Sequence, residues 1–204
     1  MQLAKDLVCA ALEALGEILD SLLDMSIDAV KEILKPICVI LEAFADVANK
    51  FVENFEGMVI DIFATGGGSY LGGEGGISLV YSTTMKSTTG EGWQAYKFIG
   101  GGVMVSATSC SCSVLVGIGA FFWNPRDPNK NFTWNDWSGG FFSISGTTGT
   151  LGVTMGGQYF ESLNGEIKGA MFLIGYSYIP GPSVSVMYSW YWMQGETFWD
   201  SIFG

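Results

Sequence analysis

Hydrophobic and polar positions along this chain follow two different periods, and the change falls near Thr65. Up to that residue, apolar side chains recur every three or four positions, which is typical of amphipathic helices. Beyond it, short segments alternate from one residue to the next, as strands do. Of the 29 glycines, 27 lie beyond Thr65, and so do all 7 tryptophans. We therefore predict an α+β protein, with an amphipathic helical region at residues 1–57 and an antiparallel β domain at residues 58–204.

The helical region has a broad apolar face and an acidic opposite face. Pro36 predicts a break, because proline lacks an amide donor and disfavours helical geometry at the preceding residue. A second helix is predicted from about Ile37 to Asn54, with Phe55 continuing its apolar side and Gly57 as its C-terminal stop. The wide apolar face is compatible with packing on the chain's own sheet, with homo-oligomerisation through these helices, or with a membrane interface.

The β region predicts about eight short antiparallel strands in a β-sandwich or a small β-barrel rich in glycine and aromatic residues. Turn signals separate most segments, and the clearest hairpin is centred on Asn164-Gly165. The glycine-rich run 66–76 is interpreted as a flexible bend or as bare strand surface that another element approaches closely. The predicted strands are Ile77–Ser82, Trp93–Ile99, Val103–Thr108, Val114–Trp123, Gly140–Ser145, Leu151–Met155, Glu166–Tyr178 and Ser183–Trp192.

The last predicted strand has one bulky face and one small face. Val184, Tyr188 and Trp190 alternate with Ser185 and Ser189 and similar neighbours. A small face admits close packing or leaves a lumen, and a bulky face is either protein core or a surface that contacts lipid. The alternation by itself is compatible with both arrangements.

The amino-acid composition limits the classes of function that this chain could have. Hydrophobic residues make up 49% of the chain and charged residues 14%, with a mean hydropathy of +0.34, which indicates a large core, an extensive interface or lipid contact. The net charge of −11 disfavours nucleic acid as a partner. Histidine is absent, so the commonest general base and metal ligand are missing. Glu161 and Glu166 flank one hairpin without an accompanying nucleophile, and we expect no enzymatic activity, cofactor or metal.

Tryptophan supplies the candidate binding residues. Trp123, Trp134 and Trp137 flank a polar loop, where exposed indoles stack on sugars or enter a membrane interface. The alternative is that these rings fold back and cap the sheet. Asp127, Asn129 and Asn131 match the start of a calcium loop, but Phe132 and Ser138 occupy the required glycine and glutamate positions, so a polar turn is expected there. The full candidate set is Trp123, Trp134, Trp137, Trp190, Trp192 and Trp199.

These features favour a non-enzymatic protein that associates with membrane lipid, including by pore formation, through aromatic loops and the N-terminal helices. The arrangement is similar in outline to actinoporin-type pore formers, which join an amphipathic N-terminal helix to a β-sandwich with an aromatic lipid-binding cluster. Here the helical region is much longer and the chain is more acidic. A glycan-binding module and a structural, self-assembling protein are the alternatives. No basic, apolar secretory signal is visible in residues 1–20, whereas the sequon at Asn131 favours secretion, so the location stays open.

Overall fold

A closed antiparallel barrel of eight strands dominates the computed structural model, which describes residues 45, 49, 52–68, 70–107, 110–150, 152–177 and 181–193. Two short helices, α1 (Thr83–Thr89) and α2 (Trp134–Trp137), lie in connections between strands. The barrel is the closed form of the two architectures that the sequence predicts. The strands are β1 (Phe55–Gly68), β2 (Gly72–Ser82), β3 (Trp93–Ser106), β4 (Cys110–Trp123), β5 (Gly139–Thr150), β6 (Val153–Ser162), β7 (Ile167–Ser177) and β8 (Ser183–Met193).

The strand order consists of two successive Greek keys. Around the barrel the strands follow β1-β2-β3-β8-β5-β6-β7-β4, so β4 lies beside β1 and β8 lies beside β5. Each set of four therefore has the spatial order 4-1-2-3. Three connections join strands that are not neighbours in the barrel. β4–β5 lies at one end, and β3–β4 and β7–β8 lie together at the other end. Ala107 N donates a hydrogen bond of 3.0 Å to Pro182 O and so joins these two connections.

Alternate side chains of the strands point into the barrel, and on β8 most of the inward side chains are small. In β8, Ser185 and Ser189 are buried, whereas Val184 and Tyr188 are exposed. β7 alternates in the same way, with Leu173 buried and its neighbours exposed. The bulky face that the alternation indicated on β8 is thus the outside of the barrel, whereas β7 also directs large side chains such as Leu173 inward.

The predicted helix–strand boundary is corrected at Phe55 and Gly57. Both residues belong to β1, beside a register shift in its pairing with β4. A Cβ on Gly57 would lie 1.8 Å from Tyr81 O, so this glycine permits close strand packing and does not end a helix. Ala45 and Asn49 are helical, as predicted. Residues 52–54, the predicted end of the second helix, instead form a bend and a turn, with Asn54 at φ 58°. The remaining residues of the two predicted helices lie outside the described ranges.

Several strand limits also differ from the alternation pattern. β3 continues through Gly100–Gly102 as one strand, because β2 and β8 pair with it on both sides. Gly146 and Gly149 lie within β5, and the chain turns near Gly152, whose φ of 97° suits glycine. The hairpin at Asn164-Gly165 is confirmed, with Gly165 at φ 77°.

The glycine-rich run 66–76 forms the facing ends of β1 and β2. A Cβ on Gly67 would lie 2.2 Å from Leu71 O, and one on Gly76 would lie 2.1 Å from Ile62 O. This arrangement matches the second interpretation of the run, as bare strand surface under a close neighbour. The outer faces of β1 and β2 are buried too, with Met58 and Tyr81 in a cluster that includes the helical Ala45.

Candidate functional site in the barrel wall and interior

An aromatic plug of Phe121, Phe132, Trp137, Phe141 and Tyr191 fills one end of the barrel interior. The Trp137 ring lies at its centre, 4.7 Å from the Phe121 ring and 5.3 Å from the Phe141 ring. Trp137 is 2% exposed, and its Nε1 makes no hydrogen bond. Rings packed at these distances close this end of the barrel.

The polar loop between β4 and β5 holds the plug in place. Thr133 and Asp136 form a capping box at α2, with Thr133 N donating to Asp136 Oδ2 at 2.9 Å. Lys130 Nζ bridges Asp136 Oδ1 at 2.6 Å and Glu166 Oε2 at 3.1 Å. A hydrogen bond from the backbone N–H of Arg126 lowers the pKa of Glu166, and the hydrogen bond and positive charge of Lys130 lower it as well. These contacts join the loop to the β6–β7 turn.

The predicted tryptophan site separates into three locations. Trp123 and Trp137 are buried at the plug, and Trp134 is half-buried beside Phe132. This is the fold-back arrangement that was the alternative to an exposed loop site. On β8, Trp192 is buried and Trp190 is half-buried on the outer side of the barrel. Trp199 lies outside the described residues.

The remaining residues that the sequence singled out have partners in the loops. Asp127 Oδ1 accepts a hydrogen bond from Asn129 N at 2.9 Å, which is a local polar turn. Glu161 Oε1 forms an ion pair of 3.2 Å with Lys168, and Glu166 pairs with Lys130. The two glutamates therefore do not face a common substrate space.

Two carboxyl groups lie deep inside the barrel, away from these loops. Asp61 on β1 is 2% exposed and Glu74 on β2 is 5% exposed. Ser189 Oγ donates a short hydrogen bond to Glu74 Oε1. Asp61 faces its register partner Ser78, but neither Asp61 Oδ1 nor Ser78 Oγ makes a hydrogen bond. In the described strands, no lysine or arginine is buried to balance these groups.

Burial makes both acids weak. The pKa of Asp61 is raised to about 7, chiefly because the group is removed from water; Ser78 lowers this pKa and the neighbouring Glu74 raises it. Burial also raises the pKa of Glu74, partly offset by Ser189. Burial, Asp61 and Glu74 together raise the pKa of Tyr191 well above its ordinary value. The interior therefore favours protonated, neutral carboxyls.

The sequence offered only a weak signal for this pair. Asp61 interrupts the apolar stretch Met58–Phe63, and Glu74 is the one charged residue in the glycine-rich run. A lone acid in a buried strand is costly, which makes Asp61 notable. However, only the pairing of β1 with β2 brings the two acids to the same interior.

The outside of the barrel presents a continuous apolar wall on five adjacent strands, β3, β8, β5, β6 and β7. The side chains of this outer wall are 41% to 59% exposed. Register places them side by side, as with Ile144, which pairs with Val186 on one flank and Tyr159 on the other. Its members are Ile99, Val103, Val105, Ile144, Val153, Met155, Tyr159, Phe172, Ile174, Tyr176, Val184 and Tyr188.

Charges on β6 and β7 are confined to one end of the outer wall. Glu161 and Lys168 are register partners at that end, and the outward positions from there to Val153 and Tyr176 are uncharged. Eight residues of strand span roughly 27 Å. With a barrel tilt of roughly 35–45°, the uncharged band is roughly 20 Å tall. Soluble monomers rarely expose apolar patches of this extent.

A pocket of about 320 Å³ indents the outer wall where β3, β8 and β5 meet. The outward glycines 101 and 140 leave the depression open, and Ile99, Tyr188, Trp190 and Leu163 surround it. None of its lining residues is charged. Trp190 is the one candidate residue from the sequence that contributes to this pocket.

Within the described residues, no helix is long and apolar enough to cross a membrane. The same residues hold no group of three or more histidine, cysteine, aspartate or glutamate side chains positioned for a metal. No protein-family model and no curated protein sequence matches this chain.

Proposed function

We propose that this protein is a non-enzymatic, membrane-associating protein whose outer wall lies against lipid acyl chains. The observation that carries the proposal is the wall itself, with five adjacent strands whose outward apolar side chains are about half exposed. Removing such surface from water is favourable at about 25 cal/mol per Å². A bilayer provides an apolar phase large enough to cover the whole wall.

The placement of charge and aromatic rings supports lipid as the partner. The uncharged band of roughly 20 Å approaches the ~25 Å apolar band of proteins that contact a bilayer through strands. Tyr188 and Trp190 lie toward the end of the wall that also holds Glu161 and Lys168. Tyrosine and tryptophan are favoured at the boundary between lipid and water. That charged end is therefore proposed to face the headgroups.

Net charge predicts which lipids the wall prefers. The chain carries −11, so an anionic membrane repels it at long range, whereas a zwitterionic membrane does not. We expect binding to phosphatidylcholine vesicles that is at least as strong as binding to vesicles containing phosphatidylserine. Added salt should reduce any difference between the two.

The test is vesicle flotation of the full chain and of two variants. Phe172→Asp combined with Ile174→Asp places charges halfway up the wall on its edge strand β7, at positions 56% and 47% exposed. We expect at least about tenfold weaker partitioning, since each charge must avoid the hydrocarbon. Leu71→Asp alters an exposed leucine outside the wall and is the matched control.

Three outcomes separate the possible partners of the wall. Flotation of the control but not of the wall variant supports lipid contact. Equal flotation of both variants places the lipid-binding surface elsewhere and refutes the proposal. Failure of the unaltered protein to float, with dimers in sedimentation that the wall variant dissociates, assigns the wall to a second copy of the chain.

A further inference from the structure

The pocket in the outer wall has the chemistry of a site for a single hydrocarbon chain. Its volume of about 320 Å³ is at the small end of ligand pockets in proteins. Such a volume accommodates part of one hydrocarbon chain better than it accommodates a bulky lipid headgroup. It opens on the same surface that we propose to face lipid, and this inference rests on that proposed function.

Charge and hydrogen bonding at the pocket select an uncharged, apolar occupant. No lining residue is charged, and the only hydroxyls belong to Tyr188 and Ser189. The Ser189 hydroxyl already donates to Glu74 inside the barrel. A sugar, a nucleotide or an ion would leave water here without regaining its hydrogen bonds. A hydrocarbon chain makes no hydrogen bonds to water, so it loses none when it enters the pocket.

Glycine keeps the pocket open. Gly101 lies on the outer face of β3 between Ile99 and Val103, and its register partner on β8 is Tyr188. A Cβ at Gly101 would meet only Gly72 O, at the ordinary contact distance of 3.6 Å. A side chain therefore fits at Gly101 without displacing the backbone, and it would extend into the pocket.

We propose that this pocket binds one acyl chain of a membrane phospholipid, held between Ile99, Tyr188, Trp190 and Leu163 over the glycine floor. The outer wall contacts many lipid acyl chains loosely, whereas the pocket holds one acyl chain. A phospholipid with a chain in the pocket would be bound at a defined stoichiometry, and its headgroup would lie outside the barrel.

Isothermal titration with dodecylphosphocholine below its micelle concentration tests the proposal. This probe has one chain and a zwitterionic head, so we expect one molecule bound per full-length protein. Gly101→Leu fills the pocket and should weaken binding at least about tenfold, the loss expected when a few methylenes leave an apolar site. Gly146→Leu is the control, because Gly146 is exposed outside the pocket and a Cβ there meets nothing within 4 Å.

A second measurement guards against a folding defect in the Gly101 variant. Vesicles of phosphatidylcholine with brominated chains should quench Trp190, and Trp190→Phe should remove the quenched component of the emission.

Weaker binding confined to Gly101→Leu, together with this quenching, supports the pocket. If Gly101→Leu and Gly146→Leu bind alike, or if the unaltered protein floats with vesicles but ignores the monomeric probe, the pocket proposal fails and membrane association stands. If the protein neither floats nor binds the probe, both proposals fail.

Discussion

Replacing Asp61 with asparagine should make the barrel more stable, and the gain should grow with pH. Asp61 is fully enclosed and its pKa is raised to about 7 from an ordinary 3.8. Between these values the unfolded chain is ionised at this position while the folded chain still holds the proton. The free energy of unfolding therefore falls with rising pH through this window and levels off above about pH 7.

The size of the effect follows from the pKa difference. About three pH units at about 1.4 kcal/mol per unit give a cost of about 4 kcal/mol for ionised Asp61 above pH 7. Asparagine has nearly the same shape and does not titrate. At pH 4 the two proteins should differ little, and at pH 8.5 the variant should be more stable by up to about 4 kcal/mol. This is a large part of the 5–15 kcal/mol that typically stabilises a domain.

Urea denaturation at pH steps from 4 to 8.5, followed by tryptophan emission, measures this difference. All 7 tryptophans lie in the β half and therefore report on the barrel. Glu74 titrates in both proteins, so the difference between them isolates Asp61 and its coupling to Glu74. A stability difference that stays constant across the pH range would refute the reasoning, because it would mean that Asp61 does not take up a proton on folding.

Two further substitutions test the packing of the barrel. Trp137→Ala should cost about 3–5 kcal/mol by emptying the centre of the aromatic plug. Trp137→Phe should cost much less in the same urea assay, because the indole N–H has no partner to lose. Gly57→Ala should cost about 3 kcal/mol or more, since its Cβ would overlap Tyr81 O, whereas Gly146→Ala should change stability by less than about 1 kcal/mol. Equal melting temperatures for the two alanine variants would contradict the placement of Gly57 in β1.

Local patterns were sufficient for the elements whose structure depends on neighbours in sequence. The hairpin at Asn164-Gly165 formed as predicted, because a left-handed glycine and flanking alternation specify a tight turn. The predicted end of the helical region was wrong at Phe55 and Gly57, since an apolar residue close to a glycine is compatible with the end of a helix and with a strand. Pairing with β2 and β4 resolved that ambiguity.

The candidate site was only partly predictable for a similar reason. Trp190 was selected for its chemistry, and it does line the pocket in the outer wall. Trp137 was selected on the same grounds but lies in the plug, because whether an aromatic loop projects or folds back depends on what space the barrel leaves open. The pocket depends on Gly101 and Gly140, which belong to different strands that are brought together by β8.

The sequence by itself determined a β region of about eight strands and, on the last strand, two unlike faces, because period and turn chemistry are local properties. Only the tertiary structure decided which face is inside. Closure of the sheet placed the small serine face of β8 within the barrel, beside the aromatic plug and the two carboxyls. The bulky face was left outside, and it forms the outer wall on which the proposed membrane association depends.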